Sequence, residues 1–267
     1  MSIHPTALVA PGAQIGEDVT IGPYCVIDDG VTIGRGCVLG AFVRLYGGVT
    51  LDEEVQVFEN VTLGAPPQDR GYQGEESFVH IGARTQLREN VTVHRPTGQG
   101  NVTSVGRDCL IMEGVHLAHN VTVGNEVTIA SKAGLAGHVK VGDYTVIGGL
   151  AGVHQNVRIG AYCMVGGASK TTQDVPPFTL IDASPSRIYS LNSVGLRRRG
   201  FSAQDRSAIK ECYKTIYAPG QLLRQGLEEA KSRFGSVEAC APIFAFFEGE
   251  NHNRGFVTWP LRSKNED

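Results

Sequence analysis

Residues 111–155 read IMEGVHLAHNVTVGNEVTIASKAGLAGHVKVGDYTVIGGLAGVHQ. Every sixth residue is aliphatic: Ile111, Leu117, Val123, Ile129, Leu135, Val141, Ile147 and Val153. Neither an α-helix nor an ordinary strand repeats at six. The same step continues outward, forward to Ile159 and Val165 and backward through Val105, then Val93, Leu87 and Ile81, then from Leu63 down to Ile3. It takes in 25 aliphatic stops in all, far beyond chance. Glycine often follows the stop, as at Gly106, Gly124, Gly142 and Gly160, and the fourth residue after it is small or β-branched. A hexapeptide period is the signature of a parallel β-helix. Each hexad is a short strand and a turn, three hexads close one triangular coil of about 18 residues, and coils stack at about 4.8 Å.

Composition agrees with a rigid, packed chain. Of 267 residues 34 are glycine, yet glycine does not recur every third residue, which excludes collagen. Apolar residues make up 41%, enough for a core, so wholesale disorder is excluded. A net charge of -3 and 7% aromatics argue against nucleic acid as a partner. No apolar run reaches the ~18 residues of a membrane span. The start lacks the basic end and apolar stretch of a signal peptide, so the expected location is cytoplasmic. The six cysteines show no C-x-x-C spacing, which disfavours a zinc site or a disulfide framework. Cys25, Cys37, Cys109 and Cys163 share the slot four past the stop and read as small buried hydrophobes. Asn-x-Thr at Asn60, Asn90 and Asn120 likewise repeats one slot, a product of the period rather than a glycosylation signal.

The period breaks at residues 65–80 and 95–104, which are polar and turn-rich. They read as loops protruding from the coil, and long loops on a rigid scaffold usually carry function. The repeat ends at Thr171, and a Pro-rich link (Asp174–Phe178) follows. Helical signals come next: a loose capping box at Ser202 and Asp205, then expected helices over 203–217, 221–234 and 237–247. The expected organisation is a coil over 1–185 and a helical domain over 186–267, its polar tail from Gly249 loosely held.

Residues 18 apart stack vertically, so His119, Gly137 and Gln155 form a column. His138 and His154 adjoin it, and His116 lies near the same edge. One such histidine is explained by turn hydrogen bonding. A stack of three points to function. No carboxylate shares the column, so acid–base catalysis is favoured over a metal site. An imidazole titrating near neutrality can take a proton from a hydroxyl or amine nucleophile.

The hexads resemble the left-handed parallel β-helix of the hexapeptide-repeat acyltransferases. The segment 111–155, together with QDVPP (173–177) and LNSVGLRRRGFS (191–202), closely resembles the UDP-N-acetylglucosamine acyltransferases that open lipid A synthesis. The resemblance covers nearly the whole chain. It implies a homotrimer that transfers a 3-hydroxyacyl group from acyl carrier protein to the glucosamine 3-position. It implies no metal and no cofactor beyond that thioester co-substrate. It makes His119 the general base and the Gly137 N–H an oxyanion donor. His138 would meet the N-acetyl region, His116 and Gln155 would hold the UDP-sugar, and His154 would line the groove. Asp69 would contact the sugar nucleotide, while Asn192, Arg198 and Arg199 would serve its diphosphate end. Gly149, Met164 and Gly167 would line the acyl groove, with Gly167 leaving room for a longer chain.

Four positions depart from the family pattern: Asn120 for an aspartate, Gly71 for a lysine, Val194 for a glutamate and Pro185 for a histidine. An asparagine orients an imidazole without stabilising its cation by charge. An N-acyltransferase therefore stays open as an alternative, acting on a 3-amino UDP-sugar or using acetyl-CoA. A non-catalytic scaffold or ice-binding coil is a third class, against which the histidine column speaks.

Overall fold

The computed structural model describes residues 1–249 and 254–259. Successive hexads fall in turn on three parallel faces, here called A, B and C, of 11, 9 and 8 strands. Face B, for example, aligns His116, Gly134, Gly152 and Lys170 in register, each 18 residues after the last. The stops point inward. From Ile21 to Val165 they form one continuous core with the small residues four places on. Cysteine fits that slot because its thiol also hydrogen-bonds locally: Cys25 Sγ donates to Gly40 O at 3.0 Å and Cys163 Sγ to Pro176 O at 3.2 Å. Thr145 fills an equivalent position, its hydroxyl donating to Gly160 O at 2.8 Å. Burial pushes the Cys109 thiol up to about 11 and Cys163 to about 12, so neither is a ready nucleophile.

At the corners the backbone enters the left-handed region. Asn60, Asn90 and Asn120 have φ of 60, 61 and 60°. Asparagine tolerates that region better than most residues, which explains why Asn-x-Thr recurs in one slot.

Both loops leave the coil between face B and face C. The first connects Thr62–Ala65 to Phe78–Ile81, the second Thr92–His94 to Val102–Val105. Leu51 pairs with Ile81 across the first loop and Ile81 with Val105 across the second, 30 and 24 residues apart. The excess over a coil is thus a whole number of hexads each time, which keeps the six-residue phase unbroken along the chain. The loops clasp one another: Gly98 N donates to Glu75 Oε1 at 2.7 Å, Gly100 N to Glu76 O at 2.8 Å, and Ser77 Oγ to Pro96 O at 2.8 Å.

The C-terminal end of the coil is covered. An antiparallel hairpin, Thr179–Asp182 with Arg187–Leu191, extends face A and straddles residue 185. Among the described residues four helices follow: α1 (Ser193–Arg198), α2 (Ala203–Ile216), α3 (Leu223–Phe234) and α4 (Ala241–Glu248), the last entered through a 3₁₀ turn at Glu238–Cys240. Ser202 and Asp205 form the capping box of α2 in both directions. The short α1 carries no such signal in the sequence. The helices have their own core around Tyr213, whose hydroxyl donates to Pro177 O at 2.6 Å. The fully buried Asp174 accepts from Arg158 Nε at 2.8 Å. Val257 N donates back to Asp174 O at 2.9 Å, and Val257 is itself buried in the coil core. Of the tail expected to be loose, Gly249 is tied to α4 by its N–H to Ala245 O at 3.1 Å and the segment 254–259 is held through Val257, while 250–253 and 260–267 lie outside the described residues.

The glycines separate into two kinds. A Cβ at Gly142 would fall 2.5 Å from the backbone of Ala161 in the next coil, whereas Gly134 and Gly152 face open space on face B. Gly142→Ala should cost roughly 1–3 kcal/mol of stability through forced backbone shifts. Gly134→Ala should leave the melting temperature unchanged. Thermal unfolding of the two variants checks the contrast.

Candidate active site

Face B and its corner with face C position the histidines. His116 stands outward on face B, one place before the inward Leu117. His119, Gly137, His138, His154 and Gln155 lie at the corner between faces B and C, which is the corner from which both loops emerge. His138 N donates to His119 O at 3.0 Å, and the two rings meet edge to face at 5.2 Å. His154 is exposed at the next coil, its Nδ1 3.3 Å from Gln155 O.

His119 is held on all sides. It is 7% exposed. Its Nδ1 lies 2.8 Å from Asn120 Oδ1. That oxygen also accepts from Thr97 N and Thr97 Oγ1, both at 3.1 Å, while Asn120 Nδ2 donates to Thr97 O at 3.0 Å. The Thr97 carbonyl fixes which way the amide faces, so Asn120 presents an oxygen to the ring. His119 Nδ1 therefore donates to that oxygen, and in the neutral ring the lone pair lies on Nε2. Nε2 points towards Asp69 of the first loop, 3.6 Å from Oδ2. A Cβ on Gly137 would fall 2.4 Å from the same Nε2. Glycine is therefore obligatory for the ring to sit there, and the Gly137 N–H donates no hydrogen bond among the described residues.

Sequence reasoning missed part of this setting. His94 meets His116 edge to face at 5.2 Å and hydrogen-bonds Pro66 O at 2.7 Å, tying the first loop to the coil. Thr92 Oγ1 lies 2.8 Å from His116 Nδ1. Thr97 holds Asn120, as above. The signal available was the loops themselves: both interrupt the same step of the A–B–C cycle. The second omission is a bare strip on face B. Gly134 and Gly152 stand where the other coils of face B carry an outward side chain, and they floor a largely apolar groove of about 530 Å³, bounded by His116, His119, His154 and Lys170.

Other expected residues lie elsewhere on the chain. Asn192 caps α1, accepting from Gly195 N at 3.1 Å and donating to Tyr162 O at 2.9 Å. Arg199 pairs with Glu126 and stacks over Tyr144 at 4.5 Å. Glu126, Tyr144 and Tyr162 mark the corner between faces C and A, so Asn192 and Arg199 stand at a different corner from the histidines. Arg198, with Arg197, is exposed beside them. Gly149 and Gly167 sit at the third corner, between faces A and B, and Met164 on face A. Of the departures, Gly71 N donates to Asp69 Oδ1 at 2.8 Å, while Val194 and Pro185 are exposed. Among the described residues no group of histidine, cysteine and carboxylate side chains could hold a metal ion. No helix among them is long and apolar enough to cross a membrane.

A family model described as Udp N-acetylglucosamine O-acyltransferase, Domain 2, matches residues 174–257, and bacterial transferase hexapeptide repeats match 12–47 and 103–137. The chain is 58% identical over 257 residues to an acyl-[acyl-carrier-protein]–UDP-N-acetylglucosamine O-acyltransferase of Chlorobium phaeobacteroides, covering 96% of this chain and 97% of that one. A protein of the same name from Chlorobaculum parvum is 54% identical, with the same coverage. Among solved structures, the UDP-N-acetylglucosamine acyltransferase of Francisella novicida superposes with a TM-score of 0.92 at 32% identity, covering 97% of this chain and 94% of that one. LpxA of Acinetobacter baumannii gives 0.91 at 36% identity, covering 96% and 100%.

Burial, with His94 alongside, holds His116 below the usual imidazole range. Burial, with His119 alongside, does the same to His138. Both are neutral at pH 7. The unfolded chain, with imidazoles titrating at about 6.5, takes up these protons first on acidification. The stability their neutral forms contribute is therefore lost as pH falls through that value towards the folded pKa. Replacing both by glutamine should flatten the fall in Tm between pH 7 and 5, measured against the unsubstituted protein.

Proposed function

The chain belongs to the acyl-[acyl-carrier-protein]–UDP-N-acetylglucosamine O-acyltransferases, with the left-handed β-helix of its structural relatives, and we propose that its histidine corner carries the transfer. The enzyme moves an acyl group from acyl carrier protein to UDP-N-acetylglucosamine. The acceptor atom is the glucosamine 3-oxygen, and the product enters lipid A synthesis.

One observation carries the assignment of roles: His119 has its Nδ1 proton committed to Asn120 and its Nε2 lone pair free beside Gly137. Nε2 takes the proton of the 3-hydroxyl as that oxygen attacks the thioester carbonyl. The C–O bond forms, and the carbonyl oxygen becomes an oxyanion facing the Gly137 N–H, a donor of a kind worth about 3 kcal/mol. Collapse breaks the C–S bond, and the leaving thiolate takes the proton back from the imidazolium. Asp69, 3.6 Å from Nε2, supplies the charge that Asn120 lacks and supports the cation while it exists. That favours a hydroxyl acceptor over a 3-amino analogue, whose neutral amine needs a weaker base. The long apolar groove favours a long acyl donor over acetyl-CoA.

His138 and His116, both neutral, suit contacts to the sugar, with Gln155 beside them, and His154 lines the groove. Asn192, Arg198 and Arg199 stand on another corner of the same coil. They join the site only if one copy's corner faces the next copy's histidines, which a homotrimer provides. In that arrangement Gly149, Met164 and Gly167 border the acyl chain, and the exposed Arg197 and Arg198 face the acidic carrier protein.

His119→Ala should lower kcat/KM about 10²–10⁴-fold, the range for a general base, with fold and oligomer size unchanged by circular dichroism and light scattering. Full activity would overturn the assignment. Asn120→Asp should behave differently. A carboxylate behind Nδ1 favours imidazolium, so the acidic limb of kcat/KM should move to higher pH by on the order of one unit. Assays with UDP-N-acetylglucosamine and its 3-amino analogue, and with carrier-protein and coenzyme A donors, read out acceptor and donor directly.

A further inference from the structure

We infer that Lys170 forms the far end of the acyl groove and helps set which chain length the enzyme accepts. The inference rests on the acyltransfer reading above and concerns a residue that it leaves unassigned.

The outward slot of face B runs His116, Gly134, Gly152, Lys170 over four successive coils. Nothing lies within 4 Å of a Cβ at either glycine. The floor therefore has no side chain between the base and Lys170. Three coil steps put Lys170 roughly 14 Å along the axis from His116. The bare glycine backbone and Ala136 leave this stretch without a polar side chain, and among the described lining residues only Lys170 carries a lysine, arginine or carboxylate charge.

Towards the amino end the floor is filled. On the other side of His116 the same slot is occupied by Thr92, Thr62 and Arg44. There Thr92 hydrogen-bonds His116, and His94 holds the first loop through Pro66. An acyl chain whose thioester lies at His119 and Gly137 finds along face B a bare path in the direction of the glycine strip. Face B itself ends with Lys170–Thr171.

The Lys170 backbone is fixed, its N–H donating to Ala183 O at 3.3 Å and its carbonyl accepting from Ser186 N at 3.0 Å. Its ammonium makes no ion pair among the described residues. A lysine stem can lie along apolar surface with its charge in water. A chain that ends at the stem gains contact with it. A longer chain must displace the stem or strip water from the ammonium, and burying an unpaired charge is costly. Gly167, on the adjoining corner, leaves the side wall open; Lys170 closes the floor.

The test offers the full-length enzyme a mixture of acyl carrier proteins with acyl chains of graded length, plus UDP-N-acetylglucosamine, and reads products by mass spectrometry. In Lys170→Gly, donors longer than the natural optimum by about two carbons should gain at least about tenfold in kcat/KM relative to that optimum, in line with methylene discrimination in apolar pockets. Lys170→Met keeps the bulk and removes the charge, so it should relax the preference less. Melting temperatures matching the unsubstituted enzyme exclude a folding effect. An unchanged length profile in Lys170→Gly overturns the inference. So does a uniform loss at every length, which would mark Lys170 as a contact to a phosphate of either substrate. Failure of the unsubstituted enzyme to acylate UDP-N-acetylglucosamine would instead sink the functional reading, and this inference with it.

Discussion

Everything in this molecule depends on coils that close. Backbone N–H groups along each face reach carbonyls of the neighbouring coil, as His116 N does with Ala133 O at 3.0 Å. That ladder persists only if every coil traces the same triangle. The core admits an aliphatic residue at each stop and a small one four places on, and it has no room for anything that alters the track. Additional residues can be accommodated only where they leave the triangle entirely. Both loops do so at one corner, and each inserts a whole number of hexads. The corner that carries chemistry is therefore the corner where the scaffold permits irregularity.

That constraint also decides what can be read from the sequence. Period, faces and core follow from the six-residue step, because inward and outward positions are fixed by counting. The column of His119, Gly137 and Gln155 follows for the same reason. Contacts made by the loops do not, since they obey no period. Thr97 reaching Asn120, or Asp69 reaching His119, depends on how two irregular segments clasp each other. The short helix α1 escaped notice because Asn192 caps it without a box and Arg198 ends it within two turns. The packed segment around Val257 escaped for a related reason: the tail is polar in composition, and among its described residues Val257 alone is deeply buried.

The site illustrates how a rigid scaffold handles charge. A base that becomes a cation needs a fixed orientation and a nearby negative group. Here two residues divide these tasks. Asn120, clamped by Thr97, sets the tautomer without charge, and Asp69 brings charge from the opposite side of the ring. The departure of Asn120 from the family pattern thus makes sense beside the second loop: a carboxylate there would set an oxygen against the Thr97 carbonyl.

The two ends of the coil are unequal. The last coil is closed by a hairpin, the Arg158–Asp174 pair, Val257 and a helical core. At the first coil Ile3 is 39% exposed and its neighbouring stops Val9 and Ile15 are only half-buried. In a stacked array whose stability is a sum of nearest-neighbour terms, such asymmetry makes opening directional. Coils at the amino end should therefore open first, with amide protons there exchanging soonest. The histidine coils lie towards the closed end, so the catalytic geometry is the last to feel that fraying. The early coils act as a sacrificial margin, opening and closing while the chemistry downstream stays in register.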